Sequence, residues 1–238
     1  MSIRAAVRAA CPPRRKRALF IIACNHRNIP AIRELNAGRD MVAPSGFFEH
    51  RAGYHRIEIV QDKPRADVLS ALDNVVRRLD LGDLLVVYFC GHGRQFPDNL
   101  LVLPPGPGDG VIGFLPLSTI RRCTEGYDLE RAMILDCCRT GDARTPEIIE
   151  AATTFTRRLP ADLQPSRDVG HRPSGHQPQP TPPDGKGTLA ILHACSDEEQ
   201  APKLGTSGKG LFSPAVCQVI GRAHDENKSL RLDDDLCD

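Results

Sequence analysis

The 238-residue chain has no tryptophan, and aromatic residues make up only 5% of it. Its core must be filled by aliphatic side chains, and 40% hydrophobic content suffices if those residues gather in a few strands. They do gather, in short blocks. No block approaches the ~18 apolar residues of a membrane span, so no membrane partner is expected. Neither sign of charge is in excess: 31 basic and 30 acidic side chains leave a net charge of +1, which argues against nucleic acid as the main partner. The nine cysteines form no C-x-x-C pair, their number is odd, and several lie inside apolar runs. That pattern points to a reducing compartment, hence a cytoplasmic location, and not to a disulfide framework. The N-terminus lacks the apolar core of a secretion signal, and no internal repeat is visible.

What the chain does have is a set of apolar runs that end in reactive residues. Leu84-Leu-Val-Val-Tyr-Phe-Cys90 reads as a strand buried on both faces, and it ends in Gly91-His92-Gly93. Two glycines release the backbone around the imidazole. Ala132-Met-Ile-Leu-Asp136 reads as a second buried strand, running into Cys137-Cys138-Arg139-Thr140-Gly141. Open α/β sheets bind ligands at the carboxyl ends of their strands, so His92 and a cysteine of the second run are expected side by side there.

The rest of the chain fits a mostly parallel α/β sheet of about six strands with helices on both faces. Residues 1–16 read as a disordered basic leader, since residues 1–17 carry six basic groups and no acid. Residues 17–222 read as one domain and residues 223–238 as a polar tail. Residues 17–24 and 188–195 read as buried strands, and 54–60 as an edge strand because apolar and polar residues alternate. A helix over 32–42 is expected to end at Pro44-Ser45-Gly46. Pro64 suits the first position of a helix over 64–79, whose Val68, Leu69, Leu72, Val75, Val76 and Leu79 follow the 3.6 period. Residues 100–103 read as a short strand or hairpin arm, 104–113 as a loop, 117–123 as a short helix and 210–220 as a closing helix. Residues 142–187 hold eight prolines and few apolar residues, which fits a flexible, cleavable loop.

A thiol needs a base before it becomes a strong nucleophile, and an imidazole at an adjacent strand end meets that need for acyl transfer. Gly93 and Gly141 allow close backbone approach, and a backbone N–H aimed at the carbonyl oxygen there suits an oxyanion hole. Cys90, Cys137, Cys138 and His92 are also a conceivable zinc set, but vicinal cysteines rarely both reach one tetrahedral metal. No metal or other cofactor is expected. His26, His50, His55 and His193 read as surface or core histidines, and Tyr88 as core.

Tyr88-Phe-Cys-Gly-His-Gly-Arg94 resembles the Ser-Gly-His-Gly element of metacaspases and caspase-like peptidases. Ile134-Leu-Asp-Cys-Cys-Arg-Thr-Gly141 resembles their Asp-Ser-Cys-His-Ser-Gly element. Leu35-Asn-Ala-Gly-Arg-Asp40-Met41 is similar to the helix after their first strand. Ala194-Cys-Ser-Asp-Glu-Glu-Gln-Ala201 with Gly210-Leu-Phe212 is similar to the start of their small subunit. The resemblance covers about residues 17–222 and implies a caspase-like three-layer sandwich. It implies a cysteine endopeptidase acting on peptides or proteins as monomer or homodimer, with Cys138 as nucleophile and His92 as base. It also implies that Asp136, with Asp40 as a second carboxylate, receives an Arg or Lys of the substrate. Arg139 follows the nucleophile as an arginine does in caspases, which leaves Asp specificity open. Some metacaspases need calcium; Asp109, Asp128 and Asp142 are scattered and form no matching acidic cluster. The loop 142–187 lies where the family separates its subunits, and its arginines at 144, 157, 158, 167 and 172 make self-cleavage a hypothesis. Two other readings remain: an inactive caspase-like scaffold in cell-death or defence signalling, and a redox or metal sensor built on Cys137-Cys138.

Overall fold

The computed structural model describes residues 15–27, 29, 32, 34–50, 52–95, 99–107, 112–137, 189–194, 203–204, 209–210 and 212–225. Five strands form the main sheet: β1 (Arg17–Ala23), β2 (Arg56–Gln61), β3 (Leu84–Cys90), β7 (Glu130–Asp136) and β8 (Leu189–His193). Their order is β2-β1-β3-β7-β8, and every pair is parallel. The sequence led us to expect about six; five are found among the described residues. The class is the expected one: parallel pairing requires crossovers, and the crossovers here carry the helices.

Strand alternation sends successive side chains to opposite faces, and each face has its own core. Ala18, Phe20 and Ile22 of β1 join Leu85, Val87 and Phe89 of β3 and Met133 and Leu135 of β7 on one face. Helices α3 (Arg65–Val76) and α4 (Leu117–Glu125) cover it, with Val68, Leu72, Val75 and Val76 as the buried stripe of α3. On the other face lie Leu19, Ile21 and Ala23, with Val86, Tyr88 and Cys90 and with Ile134. That face is covered by α1 (Ala37–Asp40), α2 (Val42–His50) and α5 (Phe212–Asp225), through Ala37, Phe48 and Val216. Gly221 of α5 lies against Phe47 of α2: a Cβ there would stand 3.2 Å from the ring.

Several local expectations change. No helix ends at Pro44-Ser45-Gly46. The chain instead turns through α1 and then runs α2 from Val42 straight across those residues. Pro44 is the third residue of α2, where its missing N–H breaks no helical bond. Pro64 is the N-cap of α3 and not its first residue. Residues 99–103 (β5) form the expected hairpin arm, one residue longer and with a partner on each side. They pair antiparallel with β4 (Gly93–Gln95) and with β6 (Gly113–Pro116), so a three-stranded sheet leaves directly from the His92 turn. β8 is half-buried along its length, as suits its place at the end of the sheet, and not fully buried as expected. A short antiparallel pair, β9 (Lys203–Leu204) with β10 (Lys209–Gly210), precedes α5, which runs on to Asp225.

Arg15 and Lys16, counted with the leader, belong to the fold. Arg15 pairs with Glu130, the Lys16 ammonium meets Asp80, and the Lys16 N–H donates to Asp83 at 2.8 Å. The other Asp83 oxygen accepts the Asp80 N–H at 2.8 Å, so this buried carboxylate closes the turn into β3. Residues 1–14, the loop 142–187 and the tail beyond 225 lie outside the described residues.

Candidate active site

The carboxyl ends of β1, β3 and β7 lie side by side. The register pairs Ala23 with Cys90 and Cys90 with Asp136. His26 is thus three residues past one paired position, and His92 and Cys138 are each two past another. The chain leaves β1 for β2 on one side while β3 lies on the other. This is the switch point at which such sheets hold their ligands.

Gly91 makes the first turn out of β3 feasible. A Cβ there would stand 2.8 Å from the Phe89 ring and 3.2 Å from Cβ of Cys24, both packed in the core. Its N–H reaches the Asp136 carbonyl at 3.3 Å and carries the β3–β7 pairing one step further. His92 follows, buried, and its carbonyl accepts the Val102 N–H at 2.9 Å. Hydrogen-bonded and non-hydrogen-bonded pairs alternate in an antiparallel ladder, so the next pair, Gly93 with Leu101, is of the open kind. The Gly93 N–H therefore turns away from β5.

Beside His92 stands His26, the first residue that sequence reasoning set aside. The two rings are 5.1 Å apart, tilted by 44°. His26 is 1% exposed, and neither ring nitrogen has a hydrogen-bond partner. Burial, with His92 adding to it and Asp62 opposing it, pushes its pKa down to about 3. The residue sits at φ 57°, the left-handed region, and is held by what surrounds it. Asn25 N–H and Nδ2 donate to the two Asp62 oxygens at 2.6 and 2.8 Å, and Asn25 Oδ1 accepts the Gly38 N–H at 3.0 Å. That cluster ties the end of β1 to the end of β2 and to α1. The available signal for His26 was its place just past β1, the same strand-end position that picked out His92.

The two predicted pocket carboxylates come to the same face of the sheet. Asp136 is the last residue of β7 and is buried; Asp40 is the last residue of α1 and is half-buried. Cys90 lies on that face too. Burial first, then Asp136 and Asp40, hold its thiol well above the usual range, so it stays protonated. Ser213, near the start of α5, donates from Oγ to Asp136 Oδ2, while the Tyr88 hydroxyl donates to Ser213 Oγ at 2.8 Å. Sequence reasoning missed Ser213 and read Tyr88 as core alone. A cavity of about 430 Å³ opens on this face, lined by Arg39, Asp40, Ala43, Pro44, Phe47, Ser213, Pro214 and Cys217.

Cys137 faces the opposite way. It is buried in the core cluster with Leu135 and Phe89, whereas Cys90 belongs to the cluster with Tyr88 and Ile134. The thiols of Cys90 and Cys137 therefore serve different sides of the sheet, which does not suit a shared zinc ion. Among the described residues no group of three or more His, Cys, Asp or Glu side chains stands together as metal ligands. Cys138 itself lies outside the described residues, as does Arg139.

These features define a class: a parallel α/β sandwich with a His-Gly turn after one central strand and Asp136-Cys137 at the end of its neighbour. The caspase domain family model matches residues 15–233, nearly the whole chain, and the chain belongs to that family. Among solved structures, the chain is similar to protein GSU0716 from Geobacter sulfurreducens, with a TM-score of 0.58 and 16% identity. The alignment covers 90% of this chain and 84% of that one, and at this identity the likeness shows the fold. No curated protein matches. Among the described residues no helix is long and apolar enough to cross a membrane.

Proposed function

We propose that this caspase-domain chain is a cysteine endopeptidase that cuts after Arg or Lys. Cys138 gives its proton to His92, and the thiolate adds to the substrate carbonyl carbon. The N–H groups of Gly93 and Cys138 receive the negative oxygen. His92 passes its proton to the leaving amine as the C–N bond breaks, and an acyl-enzyme remains. Water, deprotonated by His92, then attacks that thioester and releases the acid and the thiol.

The observation that carries this reading is geometric: Ser213 lines a cavity together with Asp40 and is hydrogen-bonded to Asp136, at the end of the strand paired with the one that leads to His92. A guanidinium offers a carboxylate both charge and paired hydrogen bonds. Arg39 also lines the cavity but is exposed, whereas Asp136 is buried. The burial of Cys137 in the core leaves Cys138 as the better nucleophile of the two.

The test is hydrolysis of a peptide series that differs only at the residue before the cut. Arg and Lys are expected to exceed Asp and neutral residues. Asp136→Asn should lower kcat/KM for Arg by roughly tenfold or more, the effect of removing a charge-assisted contact. Preference for Asp would overturn the specificity. Absence of hydrolysis in every peptide would point instead to a caspase-like scaffold.

A further inference from the structure

The buried hydrogen-bond chain from Tyr88 through Ser213 to Asp136 joins three separate parts of the fold. Tyr88 comes from β3, Asp136 from β7, and Ser213 from the first turn of α5, 77 residues beyond Asp136 in the sequence. All three are buried: Tyr88 is 0%, Ser213 2% and Asp136 8% exposed. Directions of donation are fixed. The phenol has one proton and gives it to Ser213; the serine hydroxyl has one proton and gives it to the carboxylate. Donation into Ser213 polarises its own O–H and strengthens the bond to Asp136. Burial first, and the nearby Asp136 charge after it, hold the Tyr88 phenol above its ordinary range, so it remains the donor. Ser213, the middle member, lines the same cavity as Asp40 and carries its hydrogen bond from there to Asp136.

We propose that Ser213 is a positioning residue for substrate selection: through its bond to Asp136 it fixes the carboxylate that receives the substrate's cationic side chain, so the pocket is complete only when α5 is docked. The proposal rests on the peptidase reading and adds to it the residue that links the C-terminal helix to specificity. If the chain is cut within 142–187, this contact joins the two pieces without a covalent link.

The test compares wild type with Ser213→Ala, Ser213→Thr and Tyr88→Phe. Two readouts are needed. The first is KM and kcat on paired peptides ending in Arg or in citrulline, which keeps the shape of arginine and lacks its charge. Ser213→Ala is expected to raise KM for the Arg peptide roughly tenfold with kcat little changed, and to leave the citrulline peptide unaffected. Ser213→Thr should restore the preference, and Tyr88→Phe should weaken it in the same direction by less. The second readout is calorimetric binding of agmatine, a free guanidine, which needs no turnover. It should weaken in Ser213→Ala and recover in Ser213→Thr. If Ser213→Ala does not fold, Tyr88→Phe carries both comparisons. An unchanged Arg-to-citrulline ratio, or agmatine binding that ignores Ser213 or is absent from wild type, overturns the proposal. Ser213-dependent agmatine binding without any hydrolysis would overturn the peptidase reading and leave the pocket assignment standing.

Discussion

Acid should destabilise this protein through one buried histidine. His26 is neutral in the fold because burial pushes its pKa from 6.5 down to about 3, with His92 adding to the effect and Asp62 opposing it. In the unfolded chain the same imidazole titrates at about 6.5. Between those values the unfolded state holds a proton that the folded state does not. Stability therefore falls as pH drops below 6.5, and the loss is complete only near pH 3. At pH 5 the loss is set by the interval between 6.5 and 5, at about 1.4 kcal/mol for each tenfold in proton activity, or roughly 2 kcal/mol. For a domain of this size that corresponds to a fall in Tm of about 4–8 °C. The groups facing His26 also titrate, so the useful quantity is a difference between two proteins. His26→Asn removes the titrating ring while keeping a residue that accepts a left-handed backbone, as φ 57° requires. Urea unfolding of both proteins at pH 7 and pH 5 gives four free energies. Wild type should lose about 2 kcal/mol more than His26→Asn on acidification. Equal losses would refute the argument that His26 is held neutral beside His92.

Three other outcomes are expected. Asp83→Ala strands the N–H groups of Lys16 and Asp80 at the entrance to β3, and urea unfolding should show a loss of about 2–4 kcal/mol. Gly91→Ala forces a methyl against Phe89 and Cys24, and should cost roughly 1–3 kcal/mol in the same assay, with hydrolysis falling further because His92 is the next residue. Wild type should show cuts after arginines of the loop 142–187 on mass analysis, while Cys138→Ala stays intact; identical intact chains in both would remove self-cleavage.

The parallel sheet was legible because its strands are continuous apolar runs, and α3 because its apolar residues keep strict helical spacing. The His92 turn was legible for a similar reason, since glycines around a histidine after a buried strand are a local signal. What stayed hidden depends on contacts between distant segments. Pro44, Ser45 and Gly46 look like a helix stop, but the face of the sheet above Leu19 and Tyr88 needs covering, and packing of Phe48 there overrides the local propensity. The strands at 93–95 and 113–116 are too short to show a period, and only their pairing with 99–103 defines them. Ser213 gives no sign of its partner, because Asp136 is brought to it by the docking of α5. His26 was passed over as an ordinary histidine; its meaning comes from the neighbouring ring of His92. Asp40 and Asp136 come from family resemblance alone, and their link through Ser213 is a result of the fold.

A peptidase of this kind requires residue 138 to be a nucleophile activated by residue 92. A peptidyl chloromethyl ketone ending in arginine, followed by mass-spectrometric mapping of the adduct, measures this in one step. The expected result is a single adduct on Cys138 that disappears in His92→Ala. An adduct on Cys137, or labelling of Cys138 at the same rate without the imidazole, would contradict it.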